Sequence, residues 1–199
     1  MKQKISIYFT AFFFMTVILV ITSCGNPAGN NPENTNQSSI SSSDAGQVFS
    51  SPVIQNMRMA QVGVIVEDIE KSAEFYASML GVDKPGIIVA AGHESRPTIY
   101  RGNPSNATAK LAFFEFENIQ FELIEPDGTP SIWQEFADNE GQGIQHIAFW
   151  VDDIDEAEQR FISAGMEVLQ SGGWDGGAYS YIDATKQMGT IIELLHNYP

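Results

Sequence analysis

The run Gln145-His146-Ile147-Ala148-Phe149-Trp150-Val151-Asp152-Asp153-Ile154 has an earlier counterpart, Ala60-Gln61-Val62-Gly63-Val64-Ile65-Val66-Glu67-Asp68-Ile69. In both, a polar side chain (Gln61 or His146) opens an apolar run that alternates with the period of a strand. An aspartate, Asp68 or Asp153, then stands where it can cap a helix. Each helical stretch ends at a glycine followed by a hydrophobe, Gly81-Val82 and Gly165-Met166. Each copy closes on an apolar strand with one carboxylate inside it: Phe121-Glu122-Leu123-Ile124 and Ile192-Glu193-Leu194-Leu195. The chain is therefore read as a duplicated unit of strand, helix and three strands.

Neither unit can bury its apolar sheet face alone, so the two faces are expected to close on each other. The expected fold is α+β: two βαβββ modules, about 57–126 and 141–199, paired into a half-open, eight-stranded, barrel-like sheet around a metal site. In the first module the apolar stripe of the helix Ile69 to Leu80 is assigned to Ile69, Ala73, Phe75, Tyr76, Met79 and Leu80. A hairpin about Glu117-Asn118 pairs Phe113 with Glu122 and Glu115 with Gln120. Ser131 to Ala137 reads as a short linking helix. In the second module Gly172 to Gly177 reads as a glycine-rich loop that could carry Trp174 as a lid, and Trp150 could wall the cavity.

The N-terminal segment has a different composition. Lys2 and Lys4 precede an apolar run from Ile5 to Ile21, then Thr22-Ser23-Cys24-Gly25, the pattern of a secretory signal, with an uncleaved transmembrane anchor as the alternative. Residues 24–56 are dominated by Asn, Ser, Gly and Pro and read as a flexible tether, leaving 57–199 as the globular domain. With 25 acidic residues against 10 basic ones, the net charge of −15 argues against nucleic acid as a partner.

The chemistry is expected where polar residues interrupt the apolar strands. Gln61, Glu122, His146 and Glu193 fall one to a strand on the inner surface. A buried carboxylate pairs, protonates or binds metal, and no lysine or arginine stands at a matching strand position. Two glutamates, one imidazole and one amide oxygen would balance a divalent cation. With no thiolate in the globular part, these donors suit zinc, nickel, cobalt, manganese or iron(II).

On these residues the chain resembles the vicinal oxygen chelate superfamily, the fold of glyoxalases and bleomycin-resistance proteins. The first-strand pattern fits Gln61 to Asp68 and His146 to Asp153. Gln61, Glu122, His146 and Glu193 match, in order, the ligand set of the glyoxalase I family, and Gln134 to Ile154 is similar to the methylmalonyl-CoA epimerase family. The resemblance implies one divalent metal holding two neighbouring oxygens of a small carbonyl substrate and stabilising an enediolate or enolate. It implies a lyase or isomerase in which Glu193 moves the proton, with Glu122 as its counterpart across the metal and Glu115 as a further acid/base candidate. The alternative is a binding module that sequesters a small molecule without turnover. An extradiol-type dioxygenase is disfavoured, because Gln61 stands where its first histidine would be. Ile21-Thr22-Ser23-Cys24 resembles a bacterial lipobox, which implies lipidation at Cys24 and an extracytoplasmic, membrane-anchored protein. Modules paired within one chain, or swapped in a homodimer, both remain open.

Overall fold

The computed structural model describes residues 49–55 and 58–199. The leader, Cys24 and most of the expected tether lie outside the described residues.

The first module runs β1 (Met59–Ile65), α1 (Ile69–Leu80), β2 (Ile87–Ala90), β3 (Ile99–Tyr100), β4 (Asn103–Pro104), β5 (Ala109–Glu115) and β6 (Gln120–Pro126). A linking helix α2 (Ile132–Glu140) leads to the second, made of β7 (Gly143–Trp150), α3 (Ile154–Ser163), β8 (Val168–Trp174), β9 (Gly177–Ala184), α4 (Thr185–Met188) and β10 (Thr190–Asn197). The two long helices start alike. Asp68 and Asp153 sit in extended backbone, and their side chains accept from Lys71 N and Glu156 N at 3.0 and 2.9 Å. Each aspartate satisfies an amide that the first helical turn leaves without a partner.

The ten strands among the described residues form one sheet, in the order β2-β5-β6-β1-β7-β10-β9-β8-β3-β4. Within the modules β1 runs parallel to β6 and β7 parallel to β10, while β1 and β7 pair antiparallel and join the two within one chain. The β5–β6 hairpin has the expected register, Phe113 opposite Glu122 and Glu115 opposite Gln120. Helices α1 and α3 cover the outer face, over cores containing Val64, Leu123 and Phe114 in one module and Ile182, Ile192 and Leu194 in the other. The inner face closes on Ile65, Ile124, Leu169, Tyr181 and Ile191, with Ile132 and Trp133 of α2 packed among them.

Four details differ from the sequence reading. The eight expected strands are joined by the β3–β4 hairpin, which leaves the first module and pairs with β8 of the second (Ile99 with Ser171, Tyr100 with Gln170). Two-residue strands carry no detectable period. The expected glycine-rich loop is mostly strand: β8 continues through Gly172 and Gly173 to Trp174, and only Asp175-Gly176 turns. Trp174 ends β8 and lies against Gly177 of its own hairpin. On α1, Phe75 and Met79 are exposed while Ile69, Ala73 and Ala77 are buried. At 100° per residue the buried three fall within one arc, from which 75 and 79 lie well away. Last, Phe49, Val53 and Ile54, placed in the tether by composition, pack on the core beneath α3. Phe49 meets Phe161 edge-on at 5.2 Å, and Arg160 donates to the carbonyl of Pro52 at 3.0 Å. Three apolar side chains among polar ones are too few to lift a composition average, yet enough to dock a short segment.

Candidate metal centre

Pairing register places the inner-face side chains in rows across the sheet. One row crosses Phe113, Glu122, Gly63, His146 and Ile191; the next crosses Glu115, Gln120, Gln61, Ala148, Glu193 and Tyr181. Glu122, His146 and Glu193 meet at the centre. Their donor atoms lie within 4.8 Å of one another, and the residues are only 5, 0 and 4 % exposed. His146 Nε2 is 3.2 Å from Glu193 Oε2 and 3.5 Å from Glu122 Oε2. None of these three atoms has a conventional hydrogen-bond partner. Unpartnered buried oxygens and nitrogen that converge on one point suit a cation, since leaving them unsatisfied is costly. Carboxylate and imidazole donors suit a divalent ion of the zinc, nickel, cobalt, manganese or iron(II) kind.

Burial alone would push His146 down, but the negative charges of Glu193 and Glu122 outweigh it and raise the imidazole to about 9. Burial is the main cause raising the Glu122 carboxyl, reinforced by the Glu193 charge and opposed by His146. Without a cation, then, both the Glu122 carboxyl and the His146 imidazole are biased towards their protonated forms. Tyr181 packs edge-on against His146 at 5.1 Å and accepts from Trp133 Nε1 at 3.1 Å. Burial and the nearby carboxylates hold its phenol well above the ordinary value, so it stays protonated.

The other expected site residues lie further out. Gln61 shares the inner face, diagonal to Glu122 and His146, and donates through Nε2 to Gln120 Oε1. Gln120 Nε2 donates in turn to Glu115 Oε1 at 2.5 Å. A carboxylate only accepts, so this chain fixes both amides and leaves Gln61 Oε1 as the atom free to act as a ligand. Glu115 is exposed and stands on β5, two strands from Gln61, outside the central cluster. Trp150 ends the same face at 37 % exposure. His93 and His196 bond Ser95 Oγ and the Val151 carbonyl, away from the centre.

Gly63 was missed as a site residue, although a lone glycine inside a β-branched strand marks a close approach. A Cβ built there would lie 1.9 Å from His146 Cε1. The imidazole occupies the volume that any other residue would fill. Gly63→Ala is expected to expel the ring from its place, lower the folding free energy by about 1–3 kcal/mol as overpacked sites do, and abolish high-affinity zinc binding. Thermal unfolding and a zinc titration check both; unchanged zinc affinity would show that the ring position is not what the centre depends on.

A cavity of about 510 Å³ lies beside α2 and is lined by Gln145, Leu169, Ile191, Glu135, Asp183 and Arg101 among others. It touches the neighbours of His146 but none of the three converging residues.

Two like modules joined edge to edge, with a carboxylate–imidazole–carboxylate centre on the concave face, define a class of paired-module proteins. Within that class, the chain belongs to the Glyoxalase/Bleomycin resistance protein/Dioxygenase superfamily, whose family model matches residues 60–182. An ethylmalonyl-CoA/methylmalonyl-CoA epimerase of Cereibacter sphaeroides is 29 % identical over 142 residues, covering 69 % of this chain and 96 % of the relative. The Bacillus subtilis protein YqjC is 24 % identical over 140 residues, covering 69 % and 90 %. The crystal structure of methylmalonyl-CoA epimerase from Mycobacterium tuberculosis superposes with a TM-score of 0.51 at 23 % identity, covering 76 % of this chain and 93 % of the other. That likeness establishes a shared fold.

Proposed function

We propose that this protein is a divalent-metal-dependent isomerase of the epimerase type, which moves a proton on the carbon next to a carbonyl group. The observation that carries it is the convergence of three unpartnered, buried donor atoms from Glu122, His146 and Glu193. The epimerase relatives support the choice of an isomerase over a lyase.

Glu122, His146 and Glu193 would hold the ion, with Gln61 Oε1 as a fourth donor. When bound, it supplies a Lewis acid that offsets the negative charge left on a carbonyl oxygen as the neighbouring carbon loses its proton. Removing a proton from one face and returning it to the other calls for two groups. Glu193 and Glu122 approach His146 from different modules, on strands either side of the β1–β7 junction. Glu193 takes the proton, and Glu122, across the centre, is placed as the second group. The donor atoms of the centre have almost no contact with solvent, so substrate reaches them only when the residues that cover them move aside. The leader pattern ending at Cys24 makes lipid anchoring on the outer side of a bacterial membrane part of the proposal. The substrate class is a small carbonyl acid or its thioester.

The test is exchange of the substrate's α-proton in deuterated water, followed by NMR, with protein loaded separately with zinc, nickel, cobalt and manganese. Methylmalonyl-CoA and a hemithioacetal of a 2-oxoaldehyde are the two probes. Near one metal per chain together with α-proton exchange is the expected result. Failure to bind any of the four metals would sink the enzyme reading in favour of a small-molecule binding protein.

A further inference from the structure

We infer that Gln145 is a positioning residue that fixes which nitrogen of His146 carries the proton, and so aims the Nε2 lone pair at the cation site between Glu122 and Glu193. This rests on the proposed metal site, and it follows from a chain of obligatory donors and acceptors.

Neighbouring residues of a regular strand point to opposite faces, yet Gln145 and His146 are both buried, at 2 and 0 % exposure. A bulge makes this possible. On β1, Gly63 and Val64 are consecutive, but their partners on β7 are His146 and Ile144, so Gln145 is the extra residue. Ile144, displaced by the bulge, is 63 % exposed. The bulge thus spends an apolar side chain on solvent and places an amide beside the imidazole.

That amide has one possible orientation. Gln145 Nε2 lies 2.9 Å from the carbonyl oxygen of Ile132, which can only accept. The atom 3.1 Å from His146 Nδ1 is therefore Gln145 Oε1, also only an acceptor. His146 must donate through Nδ1–H, and in the neutral ring Nε2 carries no proton. Nε2 is the atom that faces both carboxylates. The start of α2 that sets this orientation is held in turn, because Ile132 N donates to Gln170 Oε1 at 2.9 Å. A ligand histidine oriented by a hydrogen bond to its other nitrogen binds more tightly, and loss of such a partner costs about ten- to hundredfold in metal affinity.

The experiment pairs two variants with one spectrum. Gln145→Leu removes the acceptor for Nδ1–H, whereas Gln170→Leu removes a support of α2 without touching His146. Zinc affinity, measured by competition with a chelating dye, should fall about ten- to hundredfold in Gln145→Leu and stay within about threefold of wild type in Gln170→Leu. Circular dichroism and thermal unfolding report whether each folds. Equal losses in both variants would overturn the proposal, since they would mean that α2 packing alone matters. Nitrogen-15 NMR of His146 in the wild type decides the point even where Gln145→Leu does not fold. A proton on Nδ1 is expected, both in the zinc-loaded protein and in the metal-free protein at a pH where the ring is neutral. A proton on Nε2 overturns the inference. Should wild type bind no zinc, the proposed function fails, while the metal-free spectrum still tests the role of Gln145.

Discussion

Glu193→Gln, assayed at saturating metal, is expected to lower the rate of α-proton exchange by about a thousandfold, the usual range for loss of a general acid or base. Glutamine keeps the size and one oxygen of the side chain but can neither accept nor carry the proton. The residue is well placed for a large effect. It is 4 % exposed, its Oε2 has no hydrogen-bond partner, and that oxygen is 3.2 Å from His146 Nε2. The same change removes the charge that does most to raise the His146 imidazole, so metal affinity must be measured in parallel and metal supplied in excess. Glu115→Gln provides the contrast. Glu115 is exposed and reaches the centre only through Gln120 and Gln61, so its loss should change the rate by less than about tenfold, through slackening of Gln61. A Glu193→Gln protein that binds metal and keeps more than about a tenth of the wild-type rate would remove Glu193 from the proton-transfer role.

The parts of this site that could be read from sequence were those that repeat. Gln61 and His146 were found because they open two copies of one pattern, and Glu122 and Glu193 because each interrupts a closing strand. Strand periodicity then placed all four on one face, and the β5–β6 register followed from a two-residue turn. The parts that could not be read depend on exceptions to periodicity. Gln145 faces inward only because β7 bulges opposite Gly63 and Val64, and no local signal in Gly143-Ile144-Gln145-His146 announces that. The β3–β4 hairpin belongs to one module in sequence but to the other in pairing, a choice made by tertiary contact: Tyr100 and Arg101 both bond Glu135 of α2. Tyr181 and Trp133 are ordinary core aromatics by sequence. Only the fold brings them over the imidazole.

Metal affinity should climb steeply with pH, by about a hundredfold for zinc between pH 6 and 8, since each proton displaced below its pKa contributes about tenfold per unit. The sign follows from the metal-free centre. His146 is raised from 6.5 to about 9. A raised imidazole contributes stability that is complete below its unfolded value and is lost as pH climbs from 6.5 through about 9. The Glu122 carboxyl is also raised, chiefly by burial, and its contribution likewise disappears as pH rises. Both shifts therefore make the metal-free protein less stable towards alkaline pH, as protons leave the Glu122 carboxyl and the His146 ring. A cation needs the same groups deprotonated, so it must displace the His146 proton throughout this range. The gap in melting temperature between zinc-loaded and metal-free protein should consequently widen from pH 6 to 8, with the metal-free form falling and the loaded form nearly level. Calorimetric titrations in buffers of different ionisation enthalpy count the released protons directly, and at least one per zinc is expected. Affinity that stays flat over those two pH units, with no proton released, would mean that zinc binds elsewhere on this acidic surface and that the carboxylate–imidazole centre keeps its protons.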